Sequence, residues 1–142
     1  MKKHGAKLVV TNGCFDVLHP GHVKLLRRAK SLGTFLLVLL NSDKSVQALK
    51  GPHRPLNCQA DRALVLNELE CVTAIYIFDE PRATKWLGLA KPSVWAKGGD
   101  YTLASLNQGE VSAVRSNGGE IVIIPTFGDV STTKLLRALA GQ

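Results

Sequence analysis

The stretch Thr11–His22, which reads TNGCFDVLHPGH, is the part of the sequence that decides the fold. The residues before it are mainly apolar and predict a short buried strand over Leu8–Thr11. After it, apolar and basic side chains recur at helical spacing, which predicts a helix over Gly21–Ser31 that Gly33 closes. Gly13 allows the chain to turn sharply between the two elements. The stretch is therefore the connecting loop of a strand–loop–helix unit.

The two histidines at the end of this stretch mark a predicted anion site. Pro20 suits the first helical position, which puts His19 near the N-cap and His22 in the first turn. The free backbone N–H groups of that turn and the positive end of the helix dipole then point the same way as both imidazoles. Phosphate is the usual anion at such a junction. The alternatives are an ordinary surface or capping role for the histidines and half of a zinc site, but the three cysteines do not have the spacing of zinc ligands.

Composition and charge limit the classes of function. The chain has 142 residues, of which 45% are hydrophobic and 20% charged, so we expect one globular domain over residues 1–142. It shows no membrane span, no signal peptide and no disulfide spacing, which predicts a cytoplasmic protein. A net charge of +7 suits either nucleic acid or small anions. Because the basic residues are scattered and only 6% of residues are aromatic, we expect no nucleic-acid partner.

Strand and helix patterns alternate along the whole chain. This alternation predicts an α/β fold with a Rossmann-like, doubly wound, five-stranded parallel sheet. Ligands of such sheets bind beyond the carboxyl ends of the strands. The further predicted strands are Thr34–Asn41, Ala74–Phe78, Ser93–Ala96 and Glu120–Ile124. Further helices are predicted from Ser42 onward and over Gln59–Glu70, Pro81–Leu89, Asn107–Ser116 and Ser131–Ala140. In the helix Gln59–Glu70, four apolar residues are expected to face the core: Ala63, Leu64, Leu66 and Leu69.

Several polar segments follow these strands at the same predicted edge. Ser131-Thr132-Thr133 is either a second phosphate site at a helix start or an ordinary N-cap. In Lys97–Tyr101, two glycines allow the backbone to approach a base or sugar, and Asp100 can accept hydrogen bonds from hydroxyls, although a simple glycine turn explains the pattern too. Three cations follow strand two, and each alone also fits a solvated surface charge: Lys50, Arg54 and Arg62.

The sequence resembles the nucleotidyltransferase superfamily, which contains cytidylyltransferases and several adenylyltransferases. His19-Pro20-Gly21-His22, placed after a strand and opening a helix, is similar to its HxGH motif, and Ser131-Thr132-Thr133 to its late S(S/T)T segment. Lys97–Tyr101 is similar to the KGGDY of heptose-1-phosphate adenylyltransferases, here in a stand-alone form. The likeness covers roughly Val9–Leu136. The chain departs from the pattern at Pro20, over Cys58–Asp61 and at Trp95, where a small aliphatic residue is expected.

The resemblance implies a HUP-type nucleotidyltransferase fold and the reaction that accompanies it. A nucleoside monophosphate would pass from ATP or CTP to a sugar phosphate, heptose 1-phosphate being the expected acceptor. The alternatives are a glycerol-3-phosphate cytidylyltransferase and a non-catalytic nucleotide-binding module. Mg²⁺ would arrive with the triphosphate and be held by no side chain, while Asp16 would either lie near the ion through water or brace the loop. A homodimer is one possible assembly.

The same resemblance assigns roles residue by residue. Catalysis falls to His19, His22 and Lys50. Nucleotide and phosphate contacts fall to Asn12, Gly13, Cys14, Phe15, Gly21, Arg62, Lys97, Gly98, Asp100, Ser131, Thr132 and Thr133. Contacts with the second substrate fall to Asp16, Asn41, Asp43 and Arg54.

Overall fold

A computed structural model describes residues 5–99, 101–125 and 139 of the chain. Four of the predicted ligand contacts lie outside these residues, namely Asp100, Ser131, Thr132 and Thr133. The predicted late helix lies outside them as well, apart from residue 139.

A five-stranded parallel sheet organises the described residues, with strand order β3-β2-β1-β4-β5. Each strand is joined to the next one along the chain by a crossover connection, as parallel pairing requires. The strands are β1 (Leu8–Gly13), β2 (Phe35–Asn41), β3 (Ala74–Phe78), β4 (Val94–Gly98) and β5 (Glu120–Ile124). The predicted Rossmann-like, doubly wound sheet is confirmed.

Helices cover both faces of this sheet. They are α1 (Pro20–Ser31), α2 (Asp43–Lys50), α3 (Gln59–Asn67), α4 (Thr84–Ala90) and α5 (Gln108–Arg115). Successive residues of a strand point to opposite faces, so Val9 packs with α1 and α3 while Val10 packs with α4 and α5. This is why the strands read as continuous apolar runs. No helix in the described part of the chain is long and apolar enough to cross a membrane.

The structure corrects some helix boundaries and one inward-facing residue. Helix α4 begins at Thr84 instead of Pro81, because a proline also suits a turn and the N–H of Ala83 is taken by the carboxylate of Glu110 at 3.1 Å. Helix α3 ends at Asn67, where two tighter i→i+3 hydrogen bonds close it. Leu64 is 61% exposed, since it lies two positions from the buried residues on either side of it and so faces away from the core.

The carboxyl ends of β1 and β4 separate at the point where the strand order reverses. β1 pairs with β2 along its whole length. It pairs with β4 only at Val9–Val94 and Val10–Trp95, although β1 continues to Gly13 and β4 to Gly98. A reversal of this kind opens a crevice at the sheet edge, which is where ligands bind in doubly wound folds. We call this gap the switch-point crevice.

Candidate active site

Helix α1 begins with two reciprocal hydrogen bonds made by histidines. The N–H of Gly21 donates to Nδ1 of His19 at 3.0 Å, and the N–H of His19 donates to Nδ1 of His22 at 3.2 Å. This is a capping box in which imidazoles replace the usual hydroxyl and carboxylate. Because each Nδ1 accepts a hydrogen bond, the proton of each neutral ring is on Nε2. Each ring therefore presents one N–H donor on the side away from the helix backbone.

The two imidazoles are stacked and neutral. Their ring centroids lie 3.9 Å apart, and the ring of Phe15 meets His22 edge-on at 5.3 Å. The pKa of His22 is lowered to about 4, mainly by burial and in smaller part by the nearby His19 and Lys50. Burial also lowers the pKa of His19. At neutral pH both rings are thus uncharged hydrogen-bond donors.

The loop between β1 and α1 has a constrained backbone. Phe15 has a φ of 47°, which is uncommon for a bulky residue, and its side chain is buried against His22. An added Cβ on Gly13 would lie 2.9 Å from the Phe15 ring, so this position needs glycine. Strained loops of this kind occur where a binding site is held rigid by its surroundings.

Two lysines approach the loop from different elements. Lys50 ends α2 and is exposed, and Lys97 is half-buried on β4 with its Nζ 5.3 Å from the ring of Tyr101. Burial lowers the pKa of Lys97, while the carboxylate of Glu110 opposes this change. Burial raises the pKa of the Cys14 thiol, and both lysines act against that rise. Both cations are therefore close enough to Cys14 to act on the same segment of the loop.

Arg62 is buried under this loop and donates to four protein oxygens. Its Nε donates to Asn57 O at 2.9 Å, and its Nη1 donates to Cys14 O at 2.8 Å and Asn41 O at 2.7 Å. Its Nη2 donates to Asp43 Oδ1 at 2.9 Å. The side chain is 1% exposed. Four of the five N–H donors of the guanidinium thus point into the protein, whereas the resemblance implies a phosphate contact.

Asp16 is the second buried charge of the loop. Its carboxylate accepts hydrogen bonds from the N–H of Leu56 at 2.8 Å, the N–H of Asn57 at 2.9 Å and Nε of Arg54 at 3.1 Å. Burial acts to raise the pKa of Asp16, but the two backbone donors and the guanidinium outweigh it and lower that pKa. Of the two roles left open for this residue, the geometry favours bracing the loop before α3. Nη2 of Arg54 is buried and has no partner among the described residues.

Two asparagines end neighbouring strands at the same edge. Asn41 is buried, and its Nδ2 donates to Oγ of Ser45 at 2.9 Å. Asn12 is half-buried, and its Oδ1 accepts a hydrogen bond from Nε1 of Trp95 at 2.9 Å. Sequence reasoning missed the Trp95 contact because it depends on the register of β1 and β4. An added Cβ on Gly98 would lie 2.7 Å from the side chain of Leu25, so glycine lets α1 approach β4 closely.

The parallel topology brings most of the predicted site residues to one edge of the sheet. The loop after β1, the end of β2 with the start of α2, and the end of β4 all lie there. In the part of the chain that is described, no group of three or more histidine, cysteine or acidic side chains could hold a metal ion. The edge thus combines neutral imidazole donors with two lysines.

Comparison with known proteins identifies the family of this fold. The family model for cytidylyltransferase-like proteins matches residues 10–138. The chain therefore belongs to the cytidylyltransferase-like family, and the predicted class of enzyme, a nucleotidyltransferase, is confirmed.

Its relatives include proteins called bifunctional protein HldE. The one from Geobacter metallireducens is 46% identical over 141 residues, which is 96% of this chain and 28% of that protein. The one from Streptomyces coelicolor is 46% identical over 138 residues, which is 97% of this chain and 29% of that protein. The chain thus spans less than a third of the length of these relatives.

Solved structures give the same fold. A lipopolysaccharide core biosynthesis protein from Thermoplasma volcanium has a TM-score of 0.69 at 26% identity, over 89% of this chain and 100% of its own. A pantoate-beta-alanine ligase from Francisella tularensis has a TM-score of 0.57 at 15% identity, over 94% of this chain and 69% of its own. The second likeness concerns the fold alone.

Proposed function

We propose that this chain transfers the adenylyl group of ATP to heptose 1-phosphate or a closely similar sugar phosphate, with release of pyrophosphate. The observation that carries the proposal is the pair of neutral, stacked imidazoles at the start of α1, in which neither Nε2–H has a protein partner among the described residues. The likeness to bifunctional protein HldE and to a lipopolysaccharide core biosynthesis protein supports a sugar phosphate as the acceptor. The proposal concerns the region that this chain shares with those longer relatives.

The reaction needs no general base from the protein. An oxygen of the acceptor phosphate attacks the α-phosphorus, the bond to the bridging oxygen breaks, and pyrophosphate leaves with the bonding electrons. A phosphate monoester has a second pKa of about 6, so the attacking oxygen is already charged at neutral pH. Catalysis then depends on positioning and on donors aimed at the oxygens where negative charge builds up.

The histidines supply those donors in this proposal. Nε2–H of His19 and of His22 would donate to non-bridging oxygens of the α- and β-phosphates. A neutral donor suits this task. Its hydrogen bond becomes stronger as the phosphate oxygen gains charge in the transition state, and it forms no ion pair with the bound substrate beforehand. Lys50 and Lys97 would supply the positive charge that holds the triphosphate. Gly13 and Gly21 would let the phosphates approach the backbone of the loop and of the first turn.

The remaining predicted contacts divide into two groups. Arg62 and Asp16 are proposed as positioning residues, since their hydrogen-bonding groups face the protein. Arg54 stays a proposed contact for the second substrate, because Nη2 has no protein partner in the described residues. Predicted nucleotide contacts are Asn12, Cys14, Phe15 and Gly98; Asn41 and Asp43 remain predicted on the acceptor side, and Asp100 and Ser131 to Thr133 remain predictions outside the described residues.

Mg²⁺ is proposed to enter with the triphosphate. When bound, such an ion neutralises charge on phosphate oxygens. Asp16 does not fit as its ligand, because the carboxylate is buried and accepts three N–H groups.

Pyrophosphate release tests the proposal. ATP and CTP are each paired with heptose 1-phosphate and with glycerol 3-phosphate, and ATP with heptose 1-phosphate is expected to be the most active pair. Turnover with CTP and glycerol 3-phosphate alone would favour the cytidylyltransferase alternative, and nucleotide binding without pyrophosphate release would favour a binding module. A cytoplasmic location, a homodimer and the lack of a nucleic-acid partner stay predictions.

One variant links the activity to the imidazoles. His22→Ala is expected to lower kcat by about a hundredfold or more, as the loss of one donor to a developing oxyanion does. His53→Ala is the matched control, because His53 is exposed in the loop before α3. A folded His22→Ala enzyme with the turnover of the wild type would remove His22 from the chemistry.

A further inference from the structure

Trp95 lies on β4 below the switch-point crevice, and its indole side chain is fully buried. Its single polar atom, Nε1, donates to Oδ1 of Asn12 at 2.9 Å. An indole N–H can only donate, so the atom of Asn12 that faces it must be the oxygen. The amide nitrogen of Asn12 must then face the other way. The chemistry of the pair thus determines the orientation of the Asn12 side chain.

This contact connects the two walls of the crevice. Backbone pairing between β1 and β4 stops at Val10–Trp95, and both strands continue past it. Of the side-chain hydrogen bonds in the described residues, this is the one that joins β1 to β4. It connects them through Asn12, which directly precedes Gly13 and the histidine loop.

The free end of the Asn12 amide is a donor. Nδ2 has no hydrogen-bond acceptor within residues 5–99 and 101–125, and Asn12 is only half-buried. Because the indole N–H of Trp95 holds the oxygen end of the Asn12 amide, the NH₂ group at the other end is a rigidly held donor at the sheet edge.

We propose that Trp95 is a positioning residue for the nucleotide: its indole N–H holds Asn12 so that the amide NH₂ donates to an oxygen of bound ATP. The inference rests on the proposed function, because it takes ATP as the ligand of the crevice. Trp95 itself does not touch the ligand. It acts through Asn12, so substitutions of Trp95 and Asn12 should not have additive effects on ATP binding.

A double-mutant cycle tests this action. Trp95→Phe keeps an aromatic ring in the core and removes the N–H, and Asn12→Ala removes the amide. Each is expected to weaken ATP binding by about five- to tenfold, the size of one well-placed neutral hydrogen bond, and to raise KM for ATP more than it lowers kcat. Trp95→Phe should have no further effect in the Asn12→Ala background. Affinity is measured by titration calorimetry with ATP and turnover by pyrophosphate release.

Trp86→Phe is the matched control. Trp86 is half-buried on α4, and its indole N–H donates to Glu80 at 2.9 Å, so the substitution removes the same kind of hydrogen bond from a different place. This control should bind ATP as the wild type does. Additive losses in the double variant would mean that Trp95 acts through packing, and they would overturn the proposal.

Asn12→Asp decides the matter if Trp95→Phe does not fold. The aspartate keeps an oxygen for the indole N–H but turns a second, negatively charged oxygen towards the nucleotide. ATP affinity should then fall at least tenfold below that of Asn12→Ala, because like charges face each other. An Asn12→Asp protein that binds ATP as tightly as the wild type would refute the inference. A wild-type protein that neither binds ATP nor releases pyrophosphate would instead refute the proposed function, and the inference with it.

Discussion

The neutral state of His22 predicts a pH-dependent stability that can be measured without any substrate. Burial lowers the pKa of His22 from 6.5 to about 4, with His19 and Lys50 acting in the same direction. In the unfolded chain this imidazole takes up a proton as the pH falls below 6.5, whereas in the folded protein it stays neutral until about pH 4. Proton uptake therefore favours the unfolded state in this interval, and stability falls as the pH falls.

The magnitude follows from the size of the pKa change. Each unit of pKa change corresponds to about 1.4 kcal/mol, which gives an upper value of about 3.5 kcal/mol for a fall of about 2.5 units. The ring is only partly buried, so solvent screening reduces this figure. We expect a loss of about 2 kcal/mol in the free energy of unfolding between pH 7.5 and pH 4.5 that is due to His22.

His22→Gln isolates this contribution. Glutamine at the third helical position can reach back to the N–H of His19 and so keeps the capping box, but it does not titrate. Urea unfolding of both proteins at several pH values gives the difference between their pH profiles, and other titrating groups largely cancel. His53→Gln, at an exposed position, is the control. Parallel profiles for the wild type and His22→Gln between pH 7.5 and 4.5 would show that His22 is not a buried neutral imidazole.

Four further substitutions test the packing and the polar network, the first three by urea unfolding and the last by limited proteolysis. Gly88→Ala should raise the free energy of unfolding by about 0.5–1 kcal/mol, because an added Cβ in α4 meets nothing within 4 Å; a loss would contradict this. Gly119→Ala should lower it by about 1–3 kcal/mol, because the added Cβ would lie 2.6 Å from the carbonyl oxygen of Pro92; no change would show that the backbone yields. Arg62→Met should lower it by about 3–5 kcal/mol by leaving Asp43 and three carbonyls without their donor. Asp16→Asn should speed proteolysis between residues 51 and 57, since an amide cannot accept all three N–H groups; unchanged cleavage would argue against the brace.

The sheet could be predicted from the sequence because its strands are buried on both faces. In a strand of this kind neighbours such as Val9 and Val10 pack into different layers, and the resulting apolar run is visible without knowing either layer. The placement of the two histidines was predictable because His19, Pro20 and His22 are close in the sequence and the helix start places them together.

The role of Arg62 could not be predicted in the same way. Its partners on the backbone and on Asp43 lie between 5 and 48 positions away in the sequence, and only the folded loop brings them together. A cation near a phosphate site suggests a phosphate contact until its surroundings are known. The prediction that Leu64 faces the core was wrong for a simpler reason. An apolar residue in a helix does not by itself show which side of the helix faces the core.

Three polar groups at the sheet edge share one arrangement, which supports the proposal that an anion binds there. Nδ1 of His19 accepts from Gly21, Nδ1 of His22 accepts from His19, and Oδ1 of Asn12 accepts from Trp95. In each case the acceptor atom of the side chain takes a hydrogen bond from the protein, and the donor atom of the same side chain points away from that contact. A site built this way offers N–H groups whose orientation is determined before the ligand arrives, so little reorganisation is needed when charge develops on a phosphate oxygen. The three acceptor atoms are also occupied and so are not offered to a cation, which is consistent with the triphosphate site proposed above.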